Sequence, residues 1–244
     1  MDKILNFQIS FFGSFSYLKP DQEVIAKLME ALKEENMLPT TTTVSTIDTA
    51  NKNIITEDRL RMVSLDKKWS INFLKDRIDI NYNYDGGNEI FNSLSDVFLK
   101  SKVILNSILN HFNELQGNRL ALNSKILLNE LSSDERNDFI NKFSKHINSF
   151  IDAPLEEWYT RYNYRKGRTI FSNKVETCNN IIELGDIDCY DIKTEQISKR
   201  LFIGFDVNTL PENDKMRFQY NNLKDFIDNL EEDFVEMFNE IDGD

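Results

Sequence analysis

The chain has 244 residues and 28.7 kDa, with 40% hydrophobic side chains. That apolar content excludes a disordered chain and leaves one large domain or two small ones. No apolar run approaches the ~18 residues of a transmembrane helix. Met1-Asp2-Lys3-Ile4-Leu5-Asn6 has no cationic patch leading into an apolar core, so a cytoplasmic protein without a membrane partner is expected. Cys178 and Cys189 are too few for a disulfide framework or a four-cysteine metal site.

Glycine and proline number only 8 and 4, so most residues should lie in regular elements joined by short turns. Forty-one acidic against 29 basic residues give a net charge of −12, unevenly spread. Asn221 to Asp244 holds nine acids and one base, Lys224, and so carries −8; residues 1–220 carry the remaining −4. The terminal acids are either a solvated helix face or a surface for a basic partner, carried by Asp228, Glu231, Glu232 and Glu236.

In chain order, residues 4–17 read as a strand rich in Ile and Phe. Pro20 opens a helix with Val24, Ile25, Leu28, Met29 and Leu32 on one stripe, and Leu38-Pro39 is expected to stop it. Strands follow over Thr40–Ile47, Arg59–Leu65, Trp69–Leu74 and Arg77–Tyr84, with a tight turn at Lys75-Asp76. Asp85-Gly86-Gly87-Asn88 breaks the pattern. A long helix then places Ile90, Leu94, Val97, Phe98, Leu105, Ile108 and Phe112 on one face, with Gly117 past its end as a C′ residue.

Arg119–Leu131 reads as the next strand. Ser132-x-x-Glu135 has capping-box spacing before a helical stripe of Phe139, Ile140, Phe143, Ile147, Phe150 and Ile151. Strand-like stretches lie near 157–165, 168–184, 187–192 and 197–207. Pro211-Glu212-Asn213-Asp214 is a turn. The last helix carries Leu223, Phe226, Ile227, Leu230, Phe234, Met237, Phe238 and Ile241 on one face.

Each half therefore reads as strand, helix, four strands, helix, the halves being 1–117 and 118–244. This order of elements resembles the tandem modules of TATA-binding-protein-like domains. It implies an α+β fold: tandem β-α-β4-α modules forming a curved antiparallel sheet with helices on one face. The strands suit it, since Ile78, Ile80, Tyr82 and Tyr84 share one face opposite Asp79, Asn81 and Asn83, and Leu201, Ile203, Phe205 and Val207 share one face opposite Phe202, Gly204 and Asp206.

Arg59-Leu60-Arg61-Met62, Asp66-Lys67-Lys68-Trp69, Asp76-Arg77-Ile78-Asp79-Ile80-Asn81 and Arg119-Leu120-Ala121-Leu122-Asn123 resemble a functionally unassigned, sporadically distributed bacterial family over roughly residues 4–130. Some of its members lie beside phage-defence genes, which implies a role in antiviral defence or counter-defence. The family brings no catalytic residues to carry over.

The chemistry-bearing residues form few constellations. His111 and His146 lack a same-face Cys or carboxylate at metal-ligand spacing, and no Ser-His-Asp or Cys-His pair can be drawn. No GxxxxGK[ST] or GxGxxG loop is present. Glu176 with Asp191 and Lys193 could supply the acid, acid and lysine of a Mg²⁺-dependent nuclease, at acids that also suit hairpin tips. Trp158 to Arg168 interleaves four bases with four aromatics and reads as a hairpin turning at Lys166-Gly167. Such a hairpin can bind nucleic acid, or simply charge a sheet edge.

The expectation is a non-enzymatic macromolecular interaction protein, with no cofactor and no metal. A protein partner, basic if it meets the terminal helix, would dock there or on the open sheet face through Arg59, Arg61, Asn81, Asn83, Arg161, Arg165 and Arg200. The alternatives are a nucleic-acid-binding saddle, which the net charge disfavours, and a Mg²⁺-dependent nuclease.

Overall fold

In the computed structural model, which describes residues 3–48, 52–83, 94–112, 114–143, 157–171, 174–191 and 195–242, β1 (Lys3–Gly13) leads into α1 (Gln22–Ala31). The Asp21 carboxylate caps that helix by accepting from the Val24 amide at 2.9 Å. The helix ends earlier than Leu38-Pro39. A 3-10 turn over Lys33–Glu35 and Asn36 at φ 52 close it, a left-handed conformation that asparagine tolerates. Pro39 instead lies inside β2 (Met37–Asp48), an edge strand, where a missing N–H is tolerated.

β3 (Asn53–Ser64), β4 (Trp69–Phe73) and β5 (Arg77–Asn83) follow, then α2 (Leu94–His111). Lys67 at φ 61 makes the β3–β4 turn, its amide bonding the Ser64 carbonyl at 2.8 Å, and Trp69 enters the core at 3% exposure. Tyr84, Asp85-Gly86-Gly87-Asn88 and Ile90 lie outside the described residues.

The second half holds β6 (Gly117–Leu127), α3 (Ser133–Phe143), β7 (Tyr159–Phe171), β8 (Lys174–Asp191), β9 (Gln196–Thr209) and α4 (Tyr220–Asp242). The capping box forms: the Ser132 amide reaches Glu135 Oε2 at 2.8 Å and the Glu135 amide reaches Ser132 Oγ at 3.3 Å. His146, Ile147, Phe150 and Ile151 lie outside the described residues.

Three expectations are corrected here. Gly117 does not cap α2; it opens β6, where a Cβ would meet the Phe12 carbonyl oxygen at 2.6 Å. Lys166-Gly167 is not a turn. Both residues sit inside β7, paired with Cys178 and Thr177, because the alternation of side chains runs on through them. Gly167 answers a close approach instead, since a Cβ there would meet Val175 Cγ1 at 2.7 Å. The stretches near 168–184 and 187–192 do not form two strands, because β8 runs unbroken over Lys174–Asp191. Among the described residues the second half is therefore β-α-β3-α, one strand short of the first.

The nine strands of the described residues form one antiparallel sheet in the order β2-β3-β4-β5-β1-β6-β9-β8-β7, with β1 and β6 side by side. Its register can be read straight across. Pro39, Met62, Ile71, Ile80, Ile9, Leu122, Val207, Asn180 and Tyr164 line up on one side, one residue per strand. This is the apolar side that the helices cover. Phe98 of α2 meets Phe7 edge-on at 5.2 Å, and Phe234 of α4 meets Phe205 at 4.1 Å. Phe139 of α3 meets Trp158 at 6.0 Å, and α1 packs beside α2. Burying these large side chains, each contributing ~1.5–3 kcal/mol, commits this side of the sheet to the core.

Candidate functional site on the open sheet face

The opposite side carries a different row. Thr40, Arg61, Asn72, Asp79, Ser10, Ala121, Asn208, Asn179 and Arg165 align across all nine strands. The neighbouring row includes Ser70, Asn81, Gln8, Asn123, Asp206 and Asn163. A third holds Asn83, Asn6, Lys125, Gly204, Glu183 and Arg161. Period-two alternation produces this segregation: the strands send most of their apolar residues to the helices and most of their amides, hydroxyls and charges the other way, with Phe12, Val63 and Ile181 on the open side and Asn180 on the covered side as exceptions.

On the three central strands, one end of the open face is built around Phe12. Its direct neighbours across β1 are Arg77 on β5 and Arg119 on β6. The guanidinium carbons lie 5.9 Å and 4.8 Å from the ring centroid. Arg77 Nε donates to Asp79 Oδ2 at 2.8 Å, and Ser10 Oγ donates to Asp79 Oδ1 at 2.6 Å. Burial works against the Arg77 charge, but Asp79 outweighs it and holds the guanidinium pKa above its ordinary value. Arg119 donates to Asn208 Oδ1 at 3.1 Å, while its buried Nε has no partner. Lys125 lies 4.4 Å over the Phe202 ring.

Arg61, Arg77, Arg119, Lys125, Arg161 and Arg165 thus face three carboxylates, Asp79, Glu183 and Asp206, in these rows. In a chain of net charge −12, these rows are locally basic.

Of the residues singled out in the sequence, Arg61, Asn81, Asn83, Arg161, Arg165 and Arg200 belong to this side. Arg59 does not line it. It is 1% exposed, its Nε and Nη2 tied at 3.0 Å to the carbonyls of Phe73 and Phe15. The Phe15 loop covers the end of β4 and closes over it. Nor do the others form one patch. Arg61 and Arg165 are seven strand spacings apart, about 34 Å. Arg161 and Arg165 are paired with Glu183 and Glu212 at 3.3 and 3.9 Å, and Arg200 donates to the Leu128 carbonyl. Sequence reasoning passed over Arg77, Arg119 and Lys125. Their shared side with Phe12 depends on which strands are neighbours, although the x-Arg-x-Asp alternation of β5 was visible.

The terminal helix engages three of its acids in ion pairs with other elements. Lys102 of α2 reaches Asp228 at 2.9 Å and Glu231 at 2.8 Å, and Asp233 pairs with Lys166 and Arg168 of β7. Burial lowers the Lys102 pKa, but the two carboxylates outweigh it and the net shift is upward. Glu232 and Glu236 stay exposed. The side chains of Phe238 and Ile241 lie outside the described residues. The nuclease set is not assembled: Glu176 pairs with Arg217 at 2.9 Å near the start of β8, whereas Asp191 ends the same strand about 50 Å away. Lys193 lies outside the described residues. Among the described residues no three His, Cys, Asp or Glu gather as metal ligands, and no helix is long and apolar enough to cross a membrane.

No protein-family model matches this chain, and neither a curated protein nor a solved structure matches it.

Proposed function

We propose that this protein is a non-enzymatic binding protein whose open sheet face docks an acidic macromolecular partner, a protein in the first reading. The observation that supports it is the charge in the four rows from Phe12 to Asn83: six cations against three carboxylates on a chain of net charge −12. A basic face set against an acidic remainder orients an acidic partner and repels it elsewhere. This reverses the partner charge suggested by the terminal helix, whose Asp228, Glu231 and Asp233 are already engaged.

Two finer readings accompany it. The halves are two versions of one module, as the central placement of β1 beside β6 and the helix closing each half suggest; superposing 4–115 on 118–241 tests this. The resemblance to a family found beside phage-defence genes supports a defence or counter-defence setting. The second functional reading, a nucleic-acid surface, is favoured by Phe12 lying between Arg77 and Arg119, since aromatic rings and guanidinium planes stack bases.

A photoreactive residue at Asn123, in the middle of the open face, and another at Glu232 on α4 test the proposal in the native host. Cross-links to one acidic protein from Asn123 and none from Glu232 are expected. Cross-links to nucleic acid from Asn123 would select the second reading. Cross-links from Glu232 alone, or from neither position, would overturn both.

A further inference from the structure

A cleft of about 200 Å³ opens between α4 and the outer strands, on the helix-covered side of the sheet and away from the open face. Its apolar lining includes Phe205 and Val207 of β9 and Leu230 and Phe234 of α4. Four charged side chains also line it: Lys166 and Arg168 from β7, Asp233 and Glu236 from α4.

Their partnering is incomplete. Arg168 is only 5% exposed. Its guanidinium pairs with Asp233 and donates to Asn180 Oδ1 at 2.5 Å, but its buried Nε has no acceptor. Lys166 also leans on Asp233, at 3.1 Å. One carboxylate thus serves two cations, while Glu236 is exposed and makes no ion pair among the described residues.

We propose that this cleft binds a small zwitterion with an apolar body, the class of a free apolar α-amino acid. The ligand carboxylate pairs with the Lys166 ammonium, beside Arg168. Its ammonium meets Glu236, and its side chain lies over Phe205 and Phe234. The charge pattern selects this class. Two cations and two carboxylates leave the cleft without net charge, so it offers no net attraction to a simple anion or a simple cation. A zwitterion satisfies both signs. The volume holds roughly ten packed heavy atoms, the size of leucine or phenylalanine.

Calorimetry and thermal melts of the full chain with L-leucine and L-phenylalanine test this. The expected dissociation constant is on the order of 1 mM, and a roughly tenfold excess over it should raise the melting midpoint by about 3 °C. N-acetyl-phenylalanine and phenylalaninamide, each lacking one charge, should bind about tenfold more weakly or worse. Glu236→Gln and Lys166→Gln alter exposed or half-exposed groups and should keep the fold while weakening binding about five- to tenfold. No binding of either amino acid would show that the cleft holds water alone. Equal binding of the capped analogues, or unchanged affinity in both variants, would show an unselective apolar cleft. Each of these results overturns the proposal and leaves the open-face reading untouched.

Discussion

Arg119 holds its guanidinium carbon 4.8 Å from the centre of the Phe12 ring, across the seam where β6 lies beside β1. With Arg77 of β5 on the other side of the same ring, the three central strands carry two cations at one end of the open face. Arg119→Glu is expected to lower affinity for an acidic partner at least tenfold, mostly through slower association and with reduced salt dependence. The variant's melting midpoint should stay within a few degrees of the parent, because Arg119 is only half-buried. Association rates by stopped-flow at two ionic strengths check this; identical rates would remove the seam from the docking surface.

Asp79 is 3% exposed and accepts from both Ser10 and Arg77. Asp79→Ala should cost about 3 kcal/mol, because it leaves the Ser10 hydroxyl and the Arg77 charge without their acceptor. Adding Arg77→Ala should recover part of that loss. A urea-melt double-mutant cycle measures the coupling, and additive losses would mean the pair contributes nothing jointly.

The acids of α4 should divide in two. Asp233→Ala strands the buried Arg168 and the adjacent Lys166 and is expected to destabilise by about 2–4 kcal/mol. Glu232→Lys should leave the midpoint level or raise it, since Glu232 is exposed one turn from both Asp228 and Glu236 and its removal relieves repulsion. Equal losses in the two variants would show that helix charge, not the β7 contact, sets stability.

Burial pushes the Cys178 thiol up to about 11, well above the ordinary range of a thiol. The unfolded chain therefore releases this proton first as pH rises. The thiol's contribution to stability is intact below pH 9 and is lost progressively between about 9 and 11, reaching about 2 kcal/mol. Cys178→Ala should melt less steeply with pH across that window. In the native protein a thiol reagent should modify Cys189, which is partly exposed, well before Cys178, which is fully buried. Simultaneous modification of both would contradict the burial of Cys178.

Much of this architecture follows from alternation along single strands. The apolar series Ile78, Ile80, Tyr82 and the polar series Asp79, Asn81, Asn83 determine which side of β5 is buried, whatever strands lie beside it. The α4 stripe likewise determines which side of that helix packs, and Ser132 with Glu135 determines where α3 begins. These are local preferences, and neighbouring residues suffice to express them. Other features depend on pairing between residues far apart in the chain. The alternation of β7 runs through Lys166-Gly167, and only the opposing strand shows that the glycine answers the approach of Val175 rather than a turn. Arg59 and Arg61 are two residues apart and share one side of β3. The Phe15 loop nevertheless buries the first and leaves the second partly in solvent. Arg77, Phe12 and Arg119 come together because β5, β1 and β6 are adjacent in the sheet, although 107 positions separate the first and last of the three residues in the chain order Phe12, Arg77, Arg119. Side-chain periodicity is a property of one segment, whereas a site assembled across strands is a property of their order, and that order is decided by tertiary packing.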